Sequence, residues 1–204
     1  MLCMAMVYSQ QAVICGEIEY VQSTHFSRDF SRDFSLKFNT INSVYKEVVT
    51  GYKKEKIKQI DKEGLQLNRE VPRNNLTPKF FYNNRKSFYF MEVFLDEELL
   101  VKEDFPAWQW RLTDGVKKIG GFNCQKATIE FRGREYTAWF TEEIPVPFGP
   151  WKFQGLSGLI LEVYDKDGVF HIVTKKLKIG KQLECDIKID KSKFESGITT
   201  LDRT

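Results

Sequence analysis

The chain has 204 residues, 42% hydrophobic and 29% charged, enough to bury the core of one domain and too apolar for a disordered polymer. Its net charge of +3 is too small for a general polyanion-binding surface, and no stretch approaches the roughly 20 apolar residues that cross a bilayer as a helix. A nucleic-acid partner and a membrane-spanning role are therefore not expected. The 17 phenylalanines, which suit half-buried pleated surfaces, favour β-structure.

The first ten residues, MLCMAMVYSQ, are apolar and uncharged. They read as the remnant of a signal peptide, with small Ser9 near a cleavage point and no charged front end, so export is expected. Residues 11–204 read as a single mainly-β domain. Cys15 follows bulky Ile14, where a lipid-anchoring motif needs a small residue. The four cysteines are Cys3, Cys15, Cys124 and Cys185, none in a Cys-x-x-Cys pair. Removal of the leader leaves three, which allow one disulfide at most.

From residue 16 onward, short runs alternate apolar and polar residues between turn signals, the pattern of an antiparallel sheet with one dry face. EIEYV (17–21) begins the series. FSRDFSRDFSLKF (26–38) follows, with Phe26, Phe30 and Phe34 four apart. That spacing fits a helix face and, because four is even, a strand face as well. A strand is expected over 34–38, while 26–33 suits either geometry. Residues 50–80 are the most polar and predict short strands joined by exposed loops, with a glycosylation sequon at Asn75-Leu76-Thr77. KSFYFMEVFL (86–95) is strongly β-like, and AWQWRL (107–112) predicts a strand with Trp108 and Trp110 on one face.

The pattern is clearest over 116–174. Ala127, Ile129 and Phe131 alternate with polar residues up to the Arg132-Gly133-Arg134 turn, and Tyr136, Ala138 and Phe140 alternate after it. GLILEVY then places Leu159, Leu161 and Val163 inward, and Asp165-Lys166-Asp167-Gly168 turns into VFHIVTKKLKI. The lysines in Lys53-Lys54-Glu55-Lys56 and Lys175-Lys176-Leu177-Lys178 read as solvated faces and as strand edges protected by charge. The tail, DKSKFESGITTLDRT, reads as a short helix or a frayed end.

FGPWKFQGLSGLILEV (148–163) invites comparison with glycine-rich catalytic loops. A nucleophile elbow needs Gly-x-Ser-x-Gly at a strand-to-helix turn, but Gly158 stands one place early and a strand follows. The phosphate-loop spacings are absent too. Two histidines and scattered cysteines give no metal-ligand spacing, and the paired carboxylates sit in turns and at strand edges, where solvation accounts for them. Cys124 reads as a buried thiol, a disulfide half or a reactive thiol; His171, between Phe170 and Ile172 in a strand, reads as structural.

Residues 119–163 resemble the signature region of the GLPGLI family of Bacteroidetes envelope proteins. The matching residues are Gly121, Phe122, Cys124, Lys126 and Ala127, then Gly133 and Arg134, then Ala138 through Thr141. Glu143, Ile144, Pro145, Gly149, Pro150 and Gly155 through Ile160 complete the pattern. Ser157 stands where the family has proline, which argues against a serine nucleophile. The resemblance implies a periplasmic or secreted protein of unknown function, and by analogy a curled sheet like those of lipoprotein carriers.

The expectation is thus a mainly-β domain: a curled antiparallel sheet of roughly ten strands, half-barrel or open barrel, with few short helices. Pro145, Pro147 and Pro150 hold a stiff loop across one rim. The expected role is non-enzymatic and needs no cofactor: binding an envelope protein or an apolar small molecule, with Trp139, Phe148, Trp151 and Phe153 as the candidate surface. Cys124, Gly133, Pro145, Gly149, Pro150, Gly155 and Gly158 form the structural signature. The alternatives are a thiol- or metal-dependent hydrolase using Cys124 with His171, and a structural subunit of an envelope assembly.

Overall fold

Alternating burial turns the sequence into strands. In the first, β1 (Gly16–His25), Gly16, Ile18 and Tyr20 are buried and the residues between them are only partly covered. The computed structural model describes residues 14–25, 29–48, 55–60, 66–71, 80–85, 87–94, 97–104, 108–180, 186–187 and 199–200. Within these, β2 (Asp29–Phe38), β3 (Ser43–Glu47), β4 (Glu55–Ile60), β5 (Gln66–Val71) and β6 (Phe80–Asn83) follow β1. Next come β7 (Ser87–Phe94), β8 (Glu97–Asp104), β9 (Arg111–Ile119), β10 (Phe122–Phe131) and β11 (Arg134–Thr141). The last are β12 (Leu159–Asp165), β13 (Phe170–Ile179) and β14 (Thr199–Thr200).

Twelve of these strands form one open sheet in the order β14-β8-β7-β6-β3-β2-β1-β13-β12-β11-β10-β9. Eleven pair antiparallel in unbroken succession, and β14 adds to β8 in parallel. β4 and β5 make a separate hairpin. The mainly-β, curled antiparallel class expected from the sequence is the class observed, and no helix is present among the described residues. Two turns use the expected chemistry: Arg132 and Gly133 both have positive φ between β10 and β11, and Gly168 has φ +70° between β12 and β13.

One register row runs across six strands: Ile18, Leu36, Tyr45, Phe81, Phe90 and Val101 stand directly opposite one another in turn. Directly opposed residues share a face, so this row lines one side of the sheet. Phe34 stacks on Tyr45 at 4.6 Å with planes 2° apart, and burial pushes the Tyr45 hydroxyl pKa well up. The neighbouring row, Phe38, Ser43, Asn83, Phe88 and Glu103, brings polar groups onto the same side.

The chain between β11 and β12, residues 142–158, covers that side. Ile144, Val146 and Phe148 are fully buried in one cluster with Ile18, Leu36, Phe38 and Tyr45. Gln154 accepts from the Asn83 side chain, and Lys152 pairs with the carboxylate of Glu103 while lying over the rings of Phe88 and Phe90. Arg132, at the β10–β11 turn, reaches the same carboxylate at 3.1 Å, and the Tyr20 hydroxyl donates to the Ile160 carbonyl at 2.6 Å. The last strands therefore fold back over the first ones, with the crossing segment packed between. On the opposite side, Tyr82, Tyr89 and Leu100 pack against Ile187.

Two expectations differ from the structure. Trp108 and Trp110 do not lie on a strand, since β9 begins at Arg111. Their indoles still stack at 6.0 Å, drawn to the crossing segment: Trp110 donates to the Gln154 carbonyl and both rings pack on Phe153. In the tail, read as a short helix or a frayed end, Thr199 and Thr200 form a strand paired with Val101 and Lys102. Residues 1–10, Cys185 and the sequon at Asn75 lie outside the described residues.

Glycines 133 and 158 differ in what they do, and the difference is measurable. A Cβ on Gly158 would lie 2.0 Å from the Thr141 carbonyl oxygen, whereas one on Gly133, at φ +74°, would meet nothing. Gly158→Ala should therefore lower the unfolding free energy by at least ~3 kcal/mol, through backbone displacement. Gly133→Ala should cost only the left-handed strain, about 1–2 kcal/mol. Urea unfolding of both variants beside the parent checks the ranking.

Candidate binding site

Among the described residues, β13 has neighbours on both sides for only part of its length. Beside β1 it pairs from Phe170 to Ile179, with a bulge at which Lys175 is the extra residue. Beside β12 it pairs only over His171–Val173. Below that point β12 turns toward the crossing segment, where Leu159 donates to the Ile144 carbonyl and Ile160 to the Phe148 carbonyl. Thr174 Oγ1 donates to the Leu161 carbonyl at 2.7 Å, at the point where the two strands fork.

The tip of the β9–β10 hairpin, with Gly120 and Gly121 at positive φ, reaches into the fork. Between tip and strand lies a cleft of about 380 Å³. Ile119, Phe122, Leu161, Leu177 and Ile179 give it apolar walls; Gly120, Thr174, Lys175 and Lys176 complete the lining. Among the described residues, no carboxylate lines it. Lys175 reaches Asp33 at 3.4 Å across exposed surface, and Ile179 is 44% exposed.

The backbone of β13 is also open here. Gly180 donates to the Cys15 carbonyl, which makes that pair a hydrogen-bonded one. Antiparallel pairing alternates, so Lys178 turns its amide toward β1, while Leu177 and Ile179 turn theirs away, to the cleft side. No strand among the described residues pairs with that edge beyond Val173.

Next to the fork sits a charge cluster that the sequence did not single out. Glu162 accepts from Lys117 and lies 2.9 Å from His171 Nε2, and Lys117 Nζ sits 4.3 Å from the centre of the Trp139 ring. Burial pushes the Glu162 carboxyl pKa up, but the hydrogen bonds from His171 and Lys117 outweigh it and leave the pKa below the usual value. These contacts tie β9, β12 and β13 together across the fork.

The candidate surface residues are divided. Phe148 and Phe153 are buried in the protein's own core, packed by residues of β1–β3 and of β10–β12 respectively. Trp151, at φ +52°, and Trp139 are half-buried, and the Trp139 indole N–H is buried without a partner. Pro147 and Pro150 offer carbonyls to Gly155 and Phe153, which locks the crossing in shape. Gly149 lies where a Cβ would meet Ile160 and the Phe153 carbonyl at 2.8 Å. Pro145 lies between buried Ile144 and Val146. The Ser157 hydroxyl donates to Glu142 at the surface.

Cys124 and His171 are not brought into a catalytic pair. Cys124 is a free, buried thiol directed at the Phe122 carbonyl, and its desolvation pushes the pKa up. Nucleophilic thiols need the reverse shift. His171 is held by Glu162. Cys15, by contrast, is disulfide-bonded, with its partner outside the described residues. No group of three metal-ligating side chains occurs among the described residues.

Residues 131–162 match the model of a family described as a protein of unknown function (Porph_ging). No curated protein sequence matches the chain. Among solved structures, the fold is similar to PNGF-II in a P21 crystal form, with TM-score 0.57 and 20% identity over 93% of this chain and 32% of that one. PNGF-II in a C2 form gives TM-score 0.57 and 21% identity over 94% and 31%. The chain thus spans about a third of the length of those proteins.

Two measurements check this geometry. The Cys124 thiol should resist a disulfide-exchange reagent in the native protein and react fully in denaturant, while Cys15 should react only after reduction. Glu162 contributes stability above the ordinary carboxylate pKa of about 4.3, and that contribution disappears as pH falls through its lowered folded value. The urea midpoint of the parent should therefore fall more steeply below about pH 4.3 than that of Glu162→Gln.

Proposed function

We propose that the protein is a non-enzymatic binding module of the cell envelope, taking a partner protein or an apolar ligand. The observation that carries this reading is the cleft between β13 and the β9–β10 hairpin, about 380 Å³ with apolar walls and two lysines. Its volume falls within the range of small-ligand sites. The covered side of the sheet is a poorer candidate, because Ile144, Val146 and Phe148 fill it. The hydrolase alternative loses support from the raised pKa of Cys124 and the engagement of His171 with Glu162.

The envelope location draws support from the Cys15 disulfide, since such bonds persist in oxidising compartments. The signature pattern over 119–163 and the family match over 131–162 favour the GLPGLI assignment. The similarity to PNGF-II concerns the fold, and this reading takes no activity from it.

Titration with anilinonaphthalene sulfonate, an apolar anion, tests the cleft. One equivalent should bind to the folded protein with a rise in fluorescence. Phe122→Asp should abolish that binding while leaving the melting temperature within a few degrees. Absence of stoichiometric binding, or undiminished binding by the folded variant, would contradict the reading.

A further inference from the structure

We infer that the open edge of β13 is a docking site for an extended peptide of alternating acidic and apolar residues, added to the sheet as a strand. The inference rests on the proposed binding role and specifies the partner. The amides of Leu177 and Ile179 face the cleft side, and no strand among the described residues pairs with them there. A strand laid on this edge gains main-chain hydrogen bonds that the described residues leave unmade.

Register then assigns the guest's side chains. Residues opposite Leu177 and Ile179 share their face, toward Ile119, Phe122 and Leu161, so apolar side chains suit those positions. Residues opposite Lys176 and Lys178 fall on the other face, where carboxylates suit. Among the described residues no carboxylate lines the cleft; Lys175 reaches Asp33, while Lys176 and Lys178, although opposite Glu19 and Glu17 of β1, form no ion pair and keep their charge for a guest. This charge makes an acidic strand the fitting occupant in preference to a basic or neutral one. Unguarded edges of this kind are normally blunted, and here the lysines that discourage self-association also select the guest's charge.

The probe is the peptide acetyl-Glu-Val-Glu-Val-Glu-amide, titrated into the full chain by calorimetry. Its twin, N-methylated on both valines, keeps charge and apolarity but loses the donors on one edge. The peptide should bind at one to one and the twin roughly 10-fold more weakly or worse, as two lost main-chain hydrogen bonds require. Ile179→Pro removes an amide that no described residue accepts and should weaken binding about 10-fold at unchanged melting temperature. Lys176→Glu should weaken it further in low salt than in high salt.

Equal binding of peptide and twin would overturn strand addition, as would decanoate binding tightly where the peptide does not. A self-associating chain whose dimer is broken by Ile179→Pro would also overturn it, by making a second copy the occupant. If anilinonaphthalene sulfonate binds in the cleft and the peptide does not, the binding role survives and this inference alone fails.

Discussion

A methyl group at position 158 would sit 2.0 Å from the carbonyl oxygen of Thr141, so the chain leaving the crossing segment runs against the end of β11 at a distance only glycine permits. That approach fixes where β12 begins. It also fixes the path of residues 142–158, whose ends are drawn together while the middle lies over the sheet. Ile144, Val146 and Phe148 are thereby driven into the row of inward side chains from β1 to β3. The polar partners follow the same path. Asn83 and Glu103, on the covered face, would be costly buried groups without Gln154, Lys152 and Arg132 to meet them.

The same constraint creates the opening at the fork. The first residues of β12 bond to the crossing, Leu159 to Ile144 and Ile160 to Phe148, and the pairing of β12 with β13 ends at Glu162. Among the described residues, β13 therefore keeps a partner on one side only beyond Val173. The hairpin tip at Ile119–Phe122 covers the fork incompletely, and Glu162 with Lys117 and His171 braces the strands around it. A filled interior and an unfilled fork are thus two results of one packing decision. The proposed binding surface therefore lies at the edge of a strand and not on the inside of the curl.

Much of the fold was legible because alternation is a local signal. Ala127 and Ile129, Tyr136 to Phe140, and the two turns at Arg132-Gly133 and Asp165–Gly168 fall where pattern and turn chemistry put them. The close role of Gly158 was legible as a bend or near approach. What packs against it was not, since Thr141 becomes its neighbour only through the path of a 17-residue crossing. Phe148 and Phe153 were candidate surface residues because they lie in or after a proline-rich loop, yet burial depends on where the loop goes. The fork left one trace, the run Lys175-Lys176-Leu177-Lys178, where the alternation of β13 slips by one residue at a bulge. A run of lysines at a strand edge reads as protection until the missing neighbour is seen.

Amide hydrogen exchange along β13, resolved residue by residue by NMR, tests the open edge most directly. The account predicts alternation in the folded protein: Lys178 and Gly180 protected by their bonds to β1, Leu177 and Ile179 exchanging fast between them. Uniform protection from Thr174 to Gly180 would mean that β13 is paired on both sides, and the account would be wrong.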